Sequence, residues 1–235
     1  MQELDFAFYS DVGGRANNED AYLAKQMSNG YLFIVADGLG GHSDGEMASF
    51  SVVNTVKEYM VNNDSDNVIE AIKRANDVVV QLQEKKSSKM KTTIALAYVT
   101  EDKTVIAHVG DSRVYAFSNN KIICQTRDHS ASQLAVSVGE IQPEDIRHHE
   151  DRNVLLRAVG TSGDIKIEIS EIQNSEFDAL LLCSDGFWEY VLENEMEREL
   201  SNSKSADKWL YKMRCIQLSR VPQKCDNNTA IAIMC

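Results

Sequence analysis

The 235-residue sequence predicts an α+β fold in which helices pack against antiparallel β-sheets. Two helical segments follow each other between residues 45 and 83, and a long series of short strand segments comes after them. Some of these strands are separated only by polar turn residues, such as Ser118-Asn119-Asn120, which is typical of hairpins. Because strands and helices do not alternate, a parallel sheet of βαβ units is the weaker interpretation.

The individual elements follow from local periodicity. Apolar and β-branched runs predict strands over 6–10, 21–25, 31–36, 92–99, 104–109, 114–118, 121–125, 165–172, 179–183 and 229–234. Apolar residues at helical spacing predict helices over 45–61, 68–83, 130–138 and 206–220. Before the second helix, Asp66 is placed to cap it, and within it Glu70 precedes Arg74 by one turn.

Composition limits the classes of function. The hydrophobic fraction of 43% supports a sizeable core, and with only two prolines and no linker we expect one domain over residues 1–235. A net charge of −12 argues against nucleic-acid and anionic-membrane binding. The sequence contains no 18-residue apolar run, and its first residues lack the basic segment of a signal peptide. Five cysteines without a C-x-x-C pair indicate free thiols in a reducing cytoplasm.

Carboxylates recur at the ends of the apolar strands, beside glycine or other polar residues. Asp37 and Gly38 follow one strand, Asp185 and Gly186 follow a second, Gly110 and Asp111 follow a third, and Asp226 precedes the last. Glu19 and Asp20 stand immediately before another strand. Any one of these aspartates alone is better interpreted as a turn former or helix cap.

Taken together, these carboxylates predict a metal site. If they converge on one end of a sheet, they repel each other unless cations neutralise them. Oxygen ligands favour Mg²⁺ or Mn²⁺, and the carbonyl of Gly38 could join them. Two ions bridged by an aspartate can activate water and bind a phosphoryl group. Arg15, which follows two glycines, is the candidate phosphate ligand, and a surface salt bridge is its alternative role.

Other reaction classes lack their motifs. The sequence contains no G-x-x-x-x-G-K-[ST] phosphate loop, and GLGGHS does not match G-x-G-x-x-G. Ser112 has no G-x-S-x-G context for a serine hydrolase, and the histidines have no zincin spacing.

Seven segments, in this order, resemble the bacterial branch of the PPM-type (PP2C-like) metal-dependent serine/threonine protein phosphatases. They are SDVGGRANNEDAY, VADGLGGHSDGEMAS, KTTIALAYV, AHVGDSRVYAF, the stretch from TRDHSASQLAV to NVLLRAVG, LLLCSDGFWEYV and DNNTAIAI. The resemblance extends from about Ser10 to Ile233, nearly the whole chain.

The resemblance implies an α-β-β-α sandwich of two antiparallel sheets flanked by helices, with a metal centre at one end. Asp37 would bridge two Mn²⁺ or Mg²⁺ ions, the Gly38 carbonyl would bind one of them, and Asp185 and Asp226 would hold the second. Glu19 and Asp20 match the family's acidic pair, bound directly or through water. Asp111, together with Asp185, would bind a more weakly held third ion, and Asn153 could contribute to that third site. Arg15 would bind the substrate phosphate, and residues 128–160 would form the family's flap.

Two departures from the family pattern occur. Some members carry a histidine, proposed as a general acid, directly after the Asp-Gly pair, where this sequence has Leu39. His42 follows three positions later, and Gly40 and Gly41 would turn the loop beneath the site. HHEDRN lacks the proline common after its first histidine, which would alter the local path of the flap.

The main functional hypothesis is therefore a cytoplasmic, monomeric phosphatase in which a water bridging the two ions attacks phosphoserine or phosphothreonine. Its partners would be phosphorylated proteins, including a serine/threonine kinase and the targets of that kinase. A pseudophosphatase that only binds would lack metal ligands, whereas every expected aspartate is present. A two-metal phosphodiesterase is the third hypothesis, and the lack of basic patches argues against a nucleic-acid substrate.

Overall fold

The computed structural model describes residues 3–40 and 44–235. Its strands are β1 (Asp5–Asp11), β2 (Asp20–Met27), β3 (Gly30–Leu39), β4 (Lys91–Thr92), β5 (Ile94–Val99), β6 (Lys103–Val109), β7 (Arg113–Ser118), β8 (Lys121–Gln125), β9 (Glu168–Gln173), β10 (Ala179–Cys183) and β11 (Asn228–Met234). Its α-helices are α1 (Asp44–Met60), α2 (Val68–Lys86), α3 (Ala131–Ser137), α4 (Asp185–Trp188), α5 (Glu193–Ser201) and α6 (Ala206–Arg220).

The strands form two sheets. One has the order β1-β11-β10-β7-β8, and the other has the order β2-β3-β5-β6-β9 with β4 paired to β3. All the strand pairings of both sheets within the described ranges are antiparallel. The predicted α+β class with antiparallel sheets is confirmed.

Three apolar clusters define four layers. Leu32 and Ile34 of β3 pack with α1 and α2, whereas the alternate residue Phe33 belongs to the cluster between the two sheets. There Phe33 meets Phe6 of the other sheet edge to face, with ring centroids 5.4 Å apart. On the outer face of the sheet that contains β1 and β10, Leu181 packs with Trp209 of α6. Burial on both faces explains why the central strands are continuous apolar runs, and the layer order is α-β-β-α.

Every predicted strand and helix overlaps an observed element, with local differences. The predicted strand 92–99 is interrupted at Thr93. There the Asp37 N–H donates to the Thr93 Oγ1 atom rather than to the Thr93 carbonyl, although the Thr93 N–H still donates to the Asp37 carbonyl in register with the neighbouring pairs. The strand predicted from residue 165 begins at Glu168. Asp66 does not cap α2, since it lies in a preceding 3₁₀ turn and pairs with Lys103 instead.

The short helices α4 and α5 were not predicted. The four residues of α4 are too few for a periodic signal, and α5 contains four glutamates within nine residues. The predicted pair of Glu70 and Arg74 is observed at 3.0 Å. None of the helices in the described part of the chain combines the length and apolar character needed to cross a lipid bilayer.

Candidate active site

A cavity of about 600 Å³ lies at the end of the sandwich where β3 and β10 finish and β11 begins. Its walls contain Arg15 and all the predicted ligand residues except Asp20, together with parts of the predicted flap. The lining residues are Arg15, Ala16, Asn17, Glu19, Asp37, Gly38, Leu39, Gly40, Asp111, Asn153, Leu155, Asp185, Asp226 and Asn227.

Strand register brings the carboxylates together. Asp20 on β2 is directly opposite Asp37 on β3, and residues opposite each other in an antiparallel pair share a face of the sheet. In the other sheet, the Ser184 N–H donates to the Thr229 carbonyl at 3.0 Å, which holds the end of β10 beside the start of β11. Residues distant in sequence therefore meet at one edge.

The backbone around Asp37 is held from both sides. The Asp37 N–H donates to Thr93 Oγ1 at 2.9 Å, and its carbonyl accepts the Thr93 N–H at 2.8 Å. The Gly38 N–H donates to the Glu19 carbonyl at 3.1 Å. A Cβ at Gly38 would overlap the Gly45 carbonyl oxygen, so only glycine fits where β3 approaches α1. These hydrogen bonds and the close contact at Gly38 fix the backbone that carries the Asp37 carboxylate.

The buried carboxyls are incompletely hydrogen-bonded. Ser184 Oγ donates to Asp20 Oδ2 at 2.8 Å, but Asp20 Oδ1 and Asp185 Oδ1 are buried without a hydrogen-bond partner in the part of the chain that the structure describes. Burial, reinforced by neighbouring carboxylates, raises the pKa of Asp20 and of Asp111 to about 7 and the pKa of Asp37 and Asp185 well above the usual range. Carboxylate oxygens in this state fit hard divalent cations, which supply the missing partners and the missing positive charge.

Arg15 and Asp226 are hydrogen-bonded to each other at the mouth of the cavity. Arg15 Nη2 donates to Asp226 Oδ2 at 2.6 Å, and this bond raises the pKa of Arg15. The Asp226 Oδ1 atom accepts the Asn227 N–H at 2.9 Å. The Arg15 side chain is 58% exposed. Arg15 therefore forms the salt bridge named as its alternative role, and it does so inside the site.

Glu19 and Asp111 also line the cavity. Burial raises the pKa of the Glu19 carboxyl, and the Glu19 N–H donates to Asn227 Oδ1 at 2.8 Å. Asp111 is 5% exposed, and its carbonyl accepts the Trp188 Nε1–H at 2.9 Å. Both carboxyls are thus anchored through their own backbone atoms.

The predicted flap, residues 128–160, contributes Asn153 and Leu155 to the cavity wall. Leu39 also lines the cavity, and the described lining contains no histidine. Gly41 and His42 lie outside the described residues. Sequence reasoning missed the supporting residues Thr93, Ser184 and Asn227. The only feature of the sequence that could have indicated them is that each is a polar residue next to a predicted ligand or near the end of a strand.

Known proteins similar to this chain are phosphatases. Residues 10–223 match the model of the family described as protein phosphatase 2C. The chain is 35% identical over 210 residues to the serine/threonine phosphatase stp of Listeria welshimeri, covering 84% of this chain and 83% of that protein. The crystal structure of Stp1 from Staphylococcus aureus superimposes with a TM-score of 0.89 at 29% identity, covering 99% of this chain and 95% of that one.

A further similar structure contains metal. The catalytic domain of the serine/threonine phosphatase PstP in complex with two manganese ions has a TM-score of 0.84 at 25% identity, covering 98% of this chain and 97% of that one. The family match covers most of the chain and agrees with the fold and with the acidic cavity. The chain belongs to the protein phosphatase 2C family, and it is a PPM-type serine/threonine protein phosphatase.

Proposed function

We propose that this phosphatase uses two Mn²⁺ or Mg²⁺ ions, held by Asp37, the Gly38 carbonyl, Asp185 and Asp226, with a weaker third ion at Asp111 and Asp185. The observation that carries the proposal is that Asp185 Oδ1 in the cavity wall, and Asp20 Oδ1 opposite the cavity residue Asp37, are buried without a hydrogen-bond partner among the described residues. When bound, the ions lower the pKa of water and neutralise charge on the phosphoryl group.

The chain's own residues bind and orient the substrate. Arg15 would turn from Asp226 to the phosphate, because its Nε and Nη1 atoms make no hydrogen bond within the described residues and its side chain is exposed. The same movement would free Asp226 Oδ2 for an ion. Asp20, fixed by Ser184, and Glu19 would orient the ion ligands around them.

The substrates would be phosphoserine and phosphothreonine proteins, including a serine/threonine kinase and its targets. Residues 128–160 would act as a flap that contacts these proteins, since Asn153 and Leu155 form one wall of the cavity. The interleaved sheets support a single domain over 1–235. We further propose a monomer in the cytoplasm, in line with its five free cysteines.

The test is hydrolysis of p-nitrophenyl phosphate and of a phosphothreonine peptide with added Mn²⁺. We expect Asp37→Asn to lower kcat at least about a thousandfold, because an amide cannot bridge two cations as a carboxylate does. Asp164→Asn, at an exposed site, is the matched control and should keep wild-type activity. Full turnover in EDTA, or by Asp37→Asn, would overturn the mechanism. Faster turnover of a diester than of a monoester would instead support a phosphodiesterase.

A further inference from the structure

Two histidines and a glutamate form a cluster outside the catalytic cavity. The rings of His108 and His129 are stacked with centroids 4.6 Å apart, and His129 Nε2 lies 3.2 Å from Glu168 Oε2. One ligand atom of each residue lies within 4.8 Å of the others, a spacing compatible with a metal ion. The hydrogen bonds decide between a metal site and a structural one.

Backbone hydrogen bonds fix the ring tautomers. The Gly110 N–H donates to His129 Nδ1 at 3.1 Å, so Nδ1 carries a lone pair and Nε2 carries the hydrogen that is donated to Glu168. An ion on Nε2 would move that hydrogen to Nδ1, against the Gly110 N–H. His108 Nε2 faces the Arg127 carbonyl at 2.8 Å. The cluster is therefore a hydrogen-bonding unit, and no metal is assigned to it.

His129 holds Gly110 by both backbone groups. In addition to the bond to Nδ1, the His129 N–H donates to the Gly110 carbonyl at 2.9 Å. Gly110 has φ +107°, and a Cβ there would lie 2.6 Å from Thr93 Cγ2. The next residue is Asp111, so the direction of its carboxyl depends on how Gly110 is held.

The same residue supports the base of the flap. The His129 carbonyl accepts the Leu156 N–H at 2.7 Å, and Ser130 forms an isolated antiparallel bridge with Leu155. Leu155 and Asp111 both line the catalytic cavity. His129 therefore contacts both the segment that carries Asp111 and the segment that forms the flap wall.

We propose that His129 is a positioning residue that fixes Asp111 and the base of the flap relative to each other, with Glu168 holding its ring in the required tautomer. This inference rests on the proposed role of Asp111 at the weakest ion site. Burial and the neighbouring His108 lower the pKa of His129, which keeps the ring neutral and able to accept the Gly110 N–H. The consequence is that the affinity for the weakest ion depends on a residue that touches no ion.

The test compares two polar replacements that each keep half of the imidazole's bonding. In His129→Asn, Oδ1 replaces Nδ1 and can still accept the Gly110 N–H. In His129→Gln, the amide can still donate to Glu168 but no acceptor faces Gly110. Mn²⁺ binding is measured by the electron paramagnetic resonance signal of free Mn²⁺, together with kcat and KM for p-nitrophenyl phosphate. His108→Gln, which can still donate to the Arg127 carbonyl, is the control from the same cluster.

We expect His129→Gln and His129→Ala to weaken the weakest Mn²⁺ site about tenfold, the effect of about one net hydrogen bond. His129→Asn should stay within about threefold of the wild type, because its bond to Gly110 remains. The control should bind Mn²⁺ as the wild type does. If His129→Ala does not fold, as judged by circular dichroism, the comparison of Asn with Gln still decides.

Equal Mn²⁺ affinities for the Asn and Gln variants would overturn the inference, because a packing role does not distinguish them. Asp111→Asn separates this inference from the function on which it rests. If that variant weakens the site and the His129 variants do not, only the positioning role fails. If Asp111→Asn leaves the weakest site intact, Asp111 is not a ligand and the proposed third site fails.

Discussion

Replacing Asp111 by asparagine should stabilise the protein without ions and destabilise it with them. Asp111 is 5% exposed, and burial with the nearby charge of Asp128 raises its pKa to about 7. Its charged form is therefore unfavourable in the folded state. Asparagine has nearly the same shape and no charge, so it removes this penalty but also removes a cation ligand.

The size of the effect follows from the pKa. A carboxyl whose pKa rises from 3.8 to about 7 has its ionised form penalised by about 4 kcal/mol at high pH. Because neighbouring carboxyls also hold protons, we expect Asp111→Asn to raise the free energy of unfolding by about 2 to 4 kcal/mol at high pH. The group's contribution to stability is fully present below the unfolded pKa and is lost as pH rises through the folded pKa. The penalty builds up between the unfolded pKa of 3.8 and the folded pKa of about 7, so the gain from Asp111→Asn should be roughly a third of its full size at pH about 5 and full at pH about 8.

Urea unfolding of both proteins at these two pH values, in EDTA and in saturating Mn²⁺, measures the effect. In EDTA the free energy of unfolding of the variant, relative to that of the wild type, should be larger at the higher pH. In saturating Mn²⁺ the variant should unfold more easily than the wild type. Asp164→Asn, at an exposed position, should show neither change. A variant that is destabilised equally at both pH values in EDTA would refute the reasoning, because the carboxylate's charge would then carry no penalty.

Three further substitutions test other parts of the argument. Arg15→Lys should raise KM for p-nitrophenyl phosphate about tenfold with a smaller change in kcat, because lysine cannot bind phosphate bidentately; an unchanged KM would exclude Arg15 as a phosphate ligand. Asp128→Asn should lower the free energy of unfolding by about 3 kcal/mol, because the buried guanidinium of Arg113 loses its 2.7 Å ion pair with Asp128 and keeps only the longer one, at 3.4 Å, with Glu193. Phe33→Ala should lower it by about 3 to 5 kcal/mol through the cavity left between the sheets, and a value below about 1 kcal/mol in urea unfolding would contradict the close packing described there.

The sequence allowed the fold to be predicted because local signals and the final packing agree. Each central strand, such as 31–36 and 179–183, is an apolar run that needs two faces to bury, and the structure provides a helix layer on one face and a sheet on the other. Asp37, Asp111 and Asp185 were recognisable because each follows such a run beside glycine or serine, and Asp226 because it precedes the last run. That pattern was sufficient to name the four aspartates that line the cavity, Asp37, Asp111, Asp185 and Asp226.

The supporting contacts could not be predicted from the sequence. Thr93 is 56 positions from Asp37, and Asn227 is 208 positions from Glu19, yet each pair is hydrogen-bonded. Such contacts depend on the register between strands, which no local pattern specifies. The short helix α5 was missed for a related reason, since its buried residues are too few to show a periodicity and its packing against α6 stabilises it.

The register of β2 and β3 also explains how the cavity can exist at all. Asp20 and Asp37 face each other across the pair, an arrangement of like charges that destabilises a sheet. A slip by one residue would separate them, but it would also exchange the side chains of Ile34 and Phe33 between two different apolar clusters. The free energy of that core packing, which is distant from the cavity, therefore holds the carboxyls together against their repulsion. Because the core fixes the arrangement without an ion, the proposed cations would meet a preformed site, and the relief of repulsion would contribute directly to their affinity.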